Sequence, residues 1–163
     1  RRLAVSMLLA LPACAATPPP AVEITDLAIE QIPEDVMASV REASRDLPGF
    51  SISEAQKKVR DGRTYYDIEG VSADGREIEF DILIGSTGPE IVEIQRDLNW
   101  ADVPGSVRQA APGIEPARVI ESLQADGTII YELFAPGQPA DPAIEIALDT
   151  NGAVSILDER WPH

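Results

Sequence analysis

Carboxylates are the residues of this chain with the numbers and spacing to do chemistry. Glu77, Glu79 and Asp81 alternate along one run, and Asp67 and Glu69 alternate along the run before it. Glu132, Glu145 and Asp149 form a similar series later in the chain. Such acids can hold a cation, meet a basic partner, or work as an acid–base pair. Glycoside hydrolysis needs two carboxylates in different environments, one of them kept protonated. A row of acids on one wet strand face offers no such contrast, so catalysis is not expected. Nucleophilic chemistry fails on inventory. The one histidine, His163, is the last residue, and the one cysteine, Cys14, lies far from it. Neither a Ser-His-Asp or Cys-His arrangement nor a zinc set can be built from these. A full calcium loop is absent, and Asp149-Thr150-Asn151-Gly152 reads as a hairpin turn. The expectation is a non-enzyme without metal or cofactor.

The formal net charge of −15 makes nucleic acid an improbable partner, because phosphate binding needs clustered Lys and Arg. Solubility or a basic protein partner accounts for such a charge. The first residues read as a targeting segment. Arg1-Arg2 is a positive start, Leu3 to Leu11 is an apolar run too short to span a bilayer as a helix, and small residues follow. Leu11-Pro12-Ala13-Cys14 resembles a bacterial lipobox, with Pro12 as its departure. Two readings stay open: lipidation at Cys14, or ordinary cleavage after Ala13-Cys14-Ala15 or after Ala16. Thr17-Pro18-Pro19-Pro20 then reads as a stiff tether. The expected localisation is export, to the periplasm or as a membrane-anchored lipoprotein.

The positioning elements come twice. Ile32-Pro33-Glu34-Asp35-Val36 precedes Asp61-Gly62, Tyr65-Tyr66-Asp67-Ile68, Ile78-Glu79-Phe80 and Gly88. Val103-Pro104-Gly105-Ser106-Val107 precedes Asp126-Gly127, Ile130-Tyr131-Glu132-Leu133, Ile144-Glu145-Ile146 and Gly152 in the same order. An internal duplication means one supersecondary unit used twice. Pro33 suits the first position of a helix, with Glu34 and Asp35 where the dipole favours negative charge. Val36, Val40, Ala43 and Leu47 form its apolar face, and Pro48-Gly49 ends it. The second helix, from Pro104 to Pro112-Gly113, is about two turns shorter. Ser51 to Arg60 fits a short helix or a strand. Asp61-Gly62, a strong hairpin signal between β-prone runs, favours a strand. Ile78, Phe80, Ile82 and Ile84 alternate with Glu77, Glu79, Asp81 and Leu83, and Ile144, Ile146 and Leu148 alternate with Glu145, Ala147 and Asp149. That is period two, with one buried face and one wet face. Glu90 to Arg96 and Ala153 to Glu159 close the units as last strands. The expected fold class is α+β: two tandem repeats, each one helix packed on a four-stranded antiparallel sheet. The expected division is a leader over 1–20, a first repeat over 21–97 and a second over 98–163.

The helix openings Ile32-Pro33…Val36 and Val103-Pro104…Val107 carry a resemblance to a known family. So do the strands after Asp-Gly and the Leu148-Asp149-Thr150-Asn151-Gly152-Ala153-Val154 turn. Residues 32 to 160 resemble a tandem of PepSY-like exported bacterial domains, similar in turn to the β-lactamase inhibitor protein fold. The first copy departs at Gly85, where the family has Asp. The resemblance implies a cell-envelope protein that binds others, with a peptidase among its candidate partners. An inhibitory role does not transfer with a fold alone.

By alternation Tyr65, Leu83, Ile130 and Phe134 point away from the helices, among the acids. Exposed aromatics ringed by charge are typical of protein-binding hot spots, and burial at the junction of the halves is the competing reading. Tyr66 and Tyr131 read as core, and Trp100 and Trp161 as anchors tying the halves together. The expected function is a non-catalytic protein-binding module of the bacterial envelope, a peptidase inhibitor or regulator being one form of it. Its expected partner-binding residues are Tyr65, Asp67, Glu79, Asp81, Glu132 and Phe134. Membrane contact is expected only through a lipid at Cys14. The alternative is a cation- or small-ligand-binding envelope protein using the same acids.

Overall fold

A computed structural model describes residues 22–161. The segments expected to be a leader and tether, Cys14, and His163 fall outside these residues. The chain opens with strand β1 (Glu23–Asp26) and a 3-10 turn at Ile29–Gln31. Helix α1 (Glu34–Ala43) and strands β2 (Ser51–Arg60), β3 (Arg63–Val71), β4 (Glu77–Gly85) and β5 (Gly88–Asp97) follow. A second 3-10 turn at Trp100–Asp102 leads into α2 (Gly105–Ala110). Strands β6 (Arg118–Gln124), β7 (Ile129–Phe134), β8 (Ile144–Leu148) and β9 (Val154–Ile156) follow.

All nine strands form one antiparallel sheet, ordered β1 to β9 as in the sequence. This corrects the expected α+β pair of repeats, each a helix on its own four-stranded sheet. The described residues form mostly a single sheet carrying two short helices of ten and six residues. The join is the β5–β6 ladder, where Glu93 to Asp97 pair with Gln124 to Ile120. Two separate sheets would each expose an edge of unpaired N–H and C=O groups there. Pairing the edges satisfies both rows. The lead-in before α1 also becomes a strand, with β1 paired to β2 from Glu23↔Val59 to Asp26↔Gln56.

Apolar alternation decides which face the helices cover. Ile68 on β3 and Ile78, Phe80 and Ile82 on β4 meet Val36 and Val40 of α1 in one buried cluster. Each such side chain, fully buried, contributes about 1.5–3 kcal/mol. Phe50 packs edge-on against Phe80, with centroids 5.5 Å apart and planes at 88°. Gly70 makes this possible, because a Cβ there would lie 2.4 Å from the Phe50 ring. A second cluster gathers Val103, Val107, Val119, Tyr131, Leu133 and Ile146, with Trp100 packed against it. Trp100 thus serves the second half and does not span the two. Pro33 and Pro104 each stand one residue before the helix, at the N-cap, with φ of −56° and −51°. Proline's fixed φ suits either position.

Register also corrects one matching of the halves. The likeness of Ile78-Glu79-Phe80 to Ile144-Glu145-Ile146 pairs Glu79 with Glu145. In the sheet, Asp81 lies opposite Asp67 and Glu145 lies opposite Glu132. Asp81 and Glu145 therefore hold equivalent places. The hairpins differ too. Asp61-Gly62 is a two-residue turn with φ of 53° and 73°, both left-handed, as a tight hairpin requires. Asp126-Gly127 sits in a wider loop between Leu123 and Ile129, held by Thr128 N–H to Asp126 Oδ1 at 2.9 Å.

Candidate functional site

The face turned away from the helices carries the acids. Because antiparallel partners share a face, the ladders align Asp67, Asp81, Glu93 and Gln124 in one row across β3, β4, β5 and β6. A second row holds Glu69, Glu79, Gln95 and Ser122. A bulge in the β4–β5 ladder after Asp81 lets Glu93 face it. Oxygens of Asp67, Glu79 and Asp81 all come within 4.8 Å of one another.

The row lines a groove of about 380 Å³. Val22, Tyr65, Leu83 and Val92 give it an apolar rim, and Lys58, Arg60 and Arg63 a basic side. The Arg60 guanidinium sits 5.2 Å over the Tyr65 ring. A second hollow of about 280 Å³ on the same face shares Glu79 and Gln95 with it. There Arg118 bridges Asp97 at 2.9 Å and Glu77 at 3.2 Å.

Partners within the groove are specific. Lys58 forms an ion pair with Oδ2 of the buried Asp67, an oxygen that accepts no aligned hydrogen bond. Ser122 Oγ and Gln124 Nε2 both donate to Glu93 Oε1, Gln124 at 3.0 Å. Asp81 and Glu93 stand directly opposite each other across the β4–β5 ladder, on one face and within side-chain reach. Two carboxyl groups so placed can bond to each other only if one carries a proton. Burial pushes Asp81 up to about 8, helped by the charges of Glu79 and Glu93 and opposed by Lys58. Glu69 is raised as well, by burial first and then by Glu54 and Glu77.

The sequence-predicted residues divide into two groups. Tyr65, Asp67, Glu79 and Asp81 meet in the groove. Glu132 and Phe134 lie on β7, each about 6% exposed, with Phe134 beneath the Arg118 guanidinium at 5.9 Å. Ile130 is fully buried. Of the four apolar residues assigned to the open face, only Tyr65 and Leu83 line the groove. Beyond β9 the chain turns back over this face. Trp161 N–H donates to Glu145 Oε2 at 2.6 Å, and Arg160 reaches Glu145 Oε1 at 3.3 Å. Trp161 therefore tethers the tail to β8. Sequence reasoning missed Lys58, Glu93, Ser122 and Gln124. Counting alternate positions outward from Ile94 places Glu93 on the open face, and only pairing across the halves brings Ser122 and Gln124 to it.

The sequence reading expected a uniform row of wet acids, and Asp81 departs from that expectation, being raised by burial and by the charges of Glu79 and Glu93. At the hairpin, Asp149 Oδ1 accepts N–H bonds from Asn151 and Ala153, at 2.9 Å and 2.8 Å, which lowers its pKa. It acts as a turn residue. Among the described residues no helix is long and apolar enough to cross a membrane.

No protein-family model matches this chain, and no curated protein or solved structure is similar to it at a significant level. The PepSY-like resemblance rests on its short motifs alone.

Proposed function

We propose that the protein is a non-catalytic binding module that acts outside the cytoplasm and takes a cationic side chain of a partner protein into the groove. The observation that carries this is the convergence of Asp67, Glu79, Asp81 and Glu93 from three strands onto one open hollow rimmed by Tyr65 and Leu83. Acids supply the charge for an ammonium or guanidinium, and the rim supplies contact for its methylene stem. The chain's net charge of −15 steers a basic partner toward it. The leader over residues 1–20 supports export, and an envelope peptidase is the partner class that the PepSY-like resemblance implies. The cation reading keeps one specific support, the mutual closeness of Asp67, Glu79 and Asp81. Lys58 already neutralises Asp67, which leaves Glu79 and Asp81 as the acids open to a cation of either kind.

The test uses labelled peptides that differ only in a central Arg, Lys, Ala or Glu. Arg and Lys peptides are expected to bind more tightly than the others. The E79Q/D81N double variant should lose about tenfold in affinity for them. Equal binding of all four peptides overturns the reading. A melting midpoint raised by millimolar calcium and abolished by the same variant would favour the cation reading instead.

A further inference from the structure

The Asp81–Glu93 pairing across the β4–β5 ladder is more than a detail of packing. It lies in the groove wall, and the groups facing it can be named from every strand around it. Lys58 comes from β2, Asp67 from β3, Glu79 from β4 itself, and the uncharged Ser122 and Gln124 from β6. Arg60 and Arg63 stand on the groove's basic side. Near Asp81, three other acids meet one ion-paired lysine. Glu93 is about 5% exposed, and its Oε1 already takes two donors. Those donors favour an ionised Glu93 as the acceptor and Asp81 as the carrier of a shared proton.

We propose that Asp81 and Glu93 hold a single proton between them, making the groove a pH-sensitive switch that grips a cationic partner more tightly once the proton leaves. The step is a simple dissociation. The Asp81 O–H bond breaks, the proton passes to solvent, and both carboxyl groups are then ionised across the β4–β5 ladder. Such a pair titrates as a unit. The repulsion between them is relieved when an ammonium or guanidinium enters. The switch in affinity rests on the binding reading given above. The held proton does not.

Two measurements separate these. The first is a carbon-detected NMR titration of the side-chain carboxyls, with no ligand present. An Asp81 midpoint near 8 is expected in the native protein. In E93Q the midpoint should fall by roughly one unit or more, because the acceptor and its charge are gone. An Asp81 midpoint in the ordinary carboxylate range overturns the proposal. The second is the affinity of the Arg-centred peptide between about pH 6 and about pH 9. It is expected to rise several-fold in the native protein and stay flat in D81N. Binding that does not change with pH in the native protein overturns the switch. No binding at any pH, beside a midpoint near 8, overturns the partner reading while the held proton stands.

Discussion

Asp81 and Glu145 occupy matching places in the two halves, each directly across from an acid on the preceding strand, Asp67 for one and Glu132 for the other. Their surroundings then diverge. Asp81 meets a further acid, Glu93, on the next strand, beside an open groove. Glu145 meets the returning tail, with the Trp161 N–H and the Arg160 guanidinium on its oxygens. Strand β9 ends after three residues, which frees the chain to make that turn. One half sets Asp81 beside an open groove, between a buried Asp67 paired with Lys58 and a buried Glu93 that takes donors from Ser122 and Gln124. The other buries Glu132 and Glu145 alike and brings the tail's donors to Glu145. A repeated sequence thus sets where acids stand in a sheet, and the next segment along decides whether they form a site or a piece of core.

The largest break in this comparison should come from the helix-side core. Phe80→Ala is expected to cost about 3–5 kcal/mol in denaturant unfolding. Ile144→Val, at the matching register position, should cost only about 0.5–1.5 kcal/mol. Both variants should unfold in a single transition, since the β5–β6 ladder makes one sheet of the halves. Two separate transitions would show the halves to be independent.

The pH dependence of the open pair should be next in size. Asp81 rises from 3.8 to about 8 on folding, so the folded state binds more protons than the unfolded one between those values. Its contribution is complete below about 4 and is lost as pH climbs through about 8. Asp81→Asn removes that loss. The variant should match the native protein below about pH 4 and gain on it as pH rises from there to about 8, by at most about 1.4 kcal/mol per pH unit. Thermal melts across pH check this, and parallel curves for the two proteins would refute it.

The closed pair should respond to its tail. Ending the chain after Asp158 leaves Glu145 buried without its Trp161 and Arg160 donors, at a cost of about 1–3 kcal/mol. That cost should shrink when Glu145 is also changed to Gln, which a double-mutant cycle measures. The smallest effect is expected from Arg118→Ala. Its bridges to Glu77 and Asp97 are half-exposed, so stability should change by less than about 1 kcal/mol.

Much of the local structure was legible in the residues. The alternation from Glu77 to Ile84 placed Phe80 and Ile82 inward and Glu79 and Asp81 outward. The prolines at 33 and 104 marked the helix starts. Tyr66 and Tyr131 proved to be core, the latter donating its hydroxyl to Glu121 at 3.0 Å. Burial, the charge of Glu121 and that bond hold the Tyr131 hydroxyl well above its usual range. Four of the six residues assigned to partner binding meet in the groove. Glu132 and Phe134 satisfied the same alternation and yet are buried, because a period of two reports which face a side chain takes and not what covers that face.

The sequence by itself determined the duplicated order of elements, the sides of the strands on which acids and apolar residues stand, and the acidic charge of the whole chain. These follow from backbone periodicity and composition, which are local properties. Only the tertiary structure decided that the nine strands form one sheet, because edge pairing is a contact between segments distant in sequence. The same long-range pairing set Glu93 against Asp81, brought Ser122 and Gln124 across from the second half, and folded the tail over Glu145. Carboxyl protonation depends on the dielectric and on charges within a few ångströms, so it belongs to the assembled sheet and to no single strand.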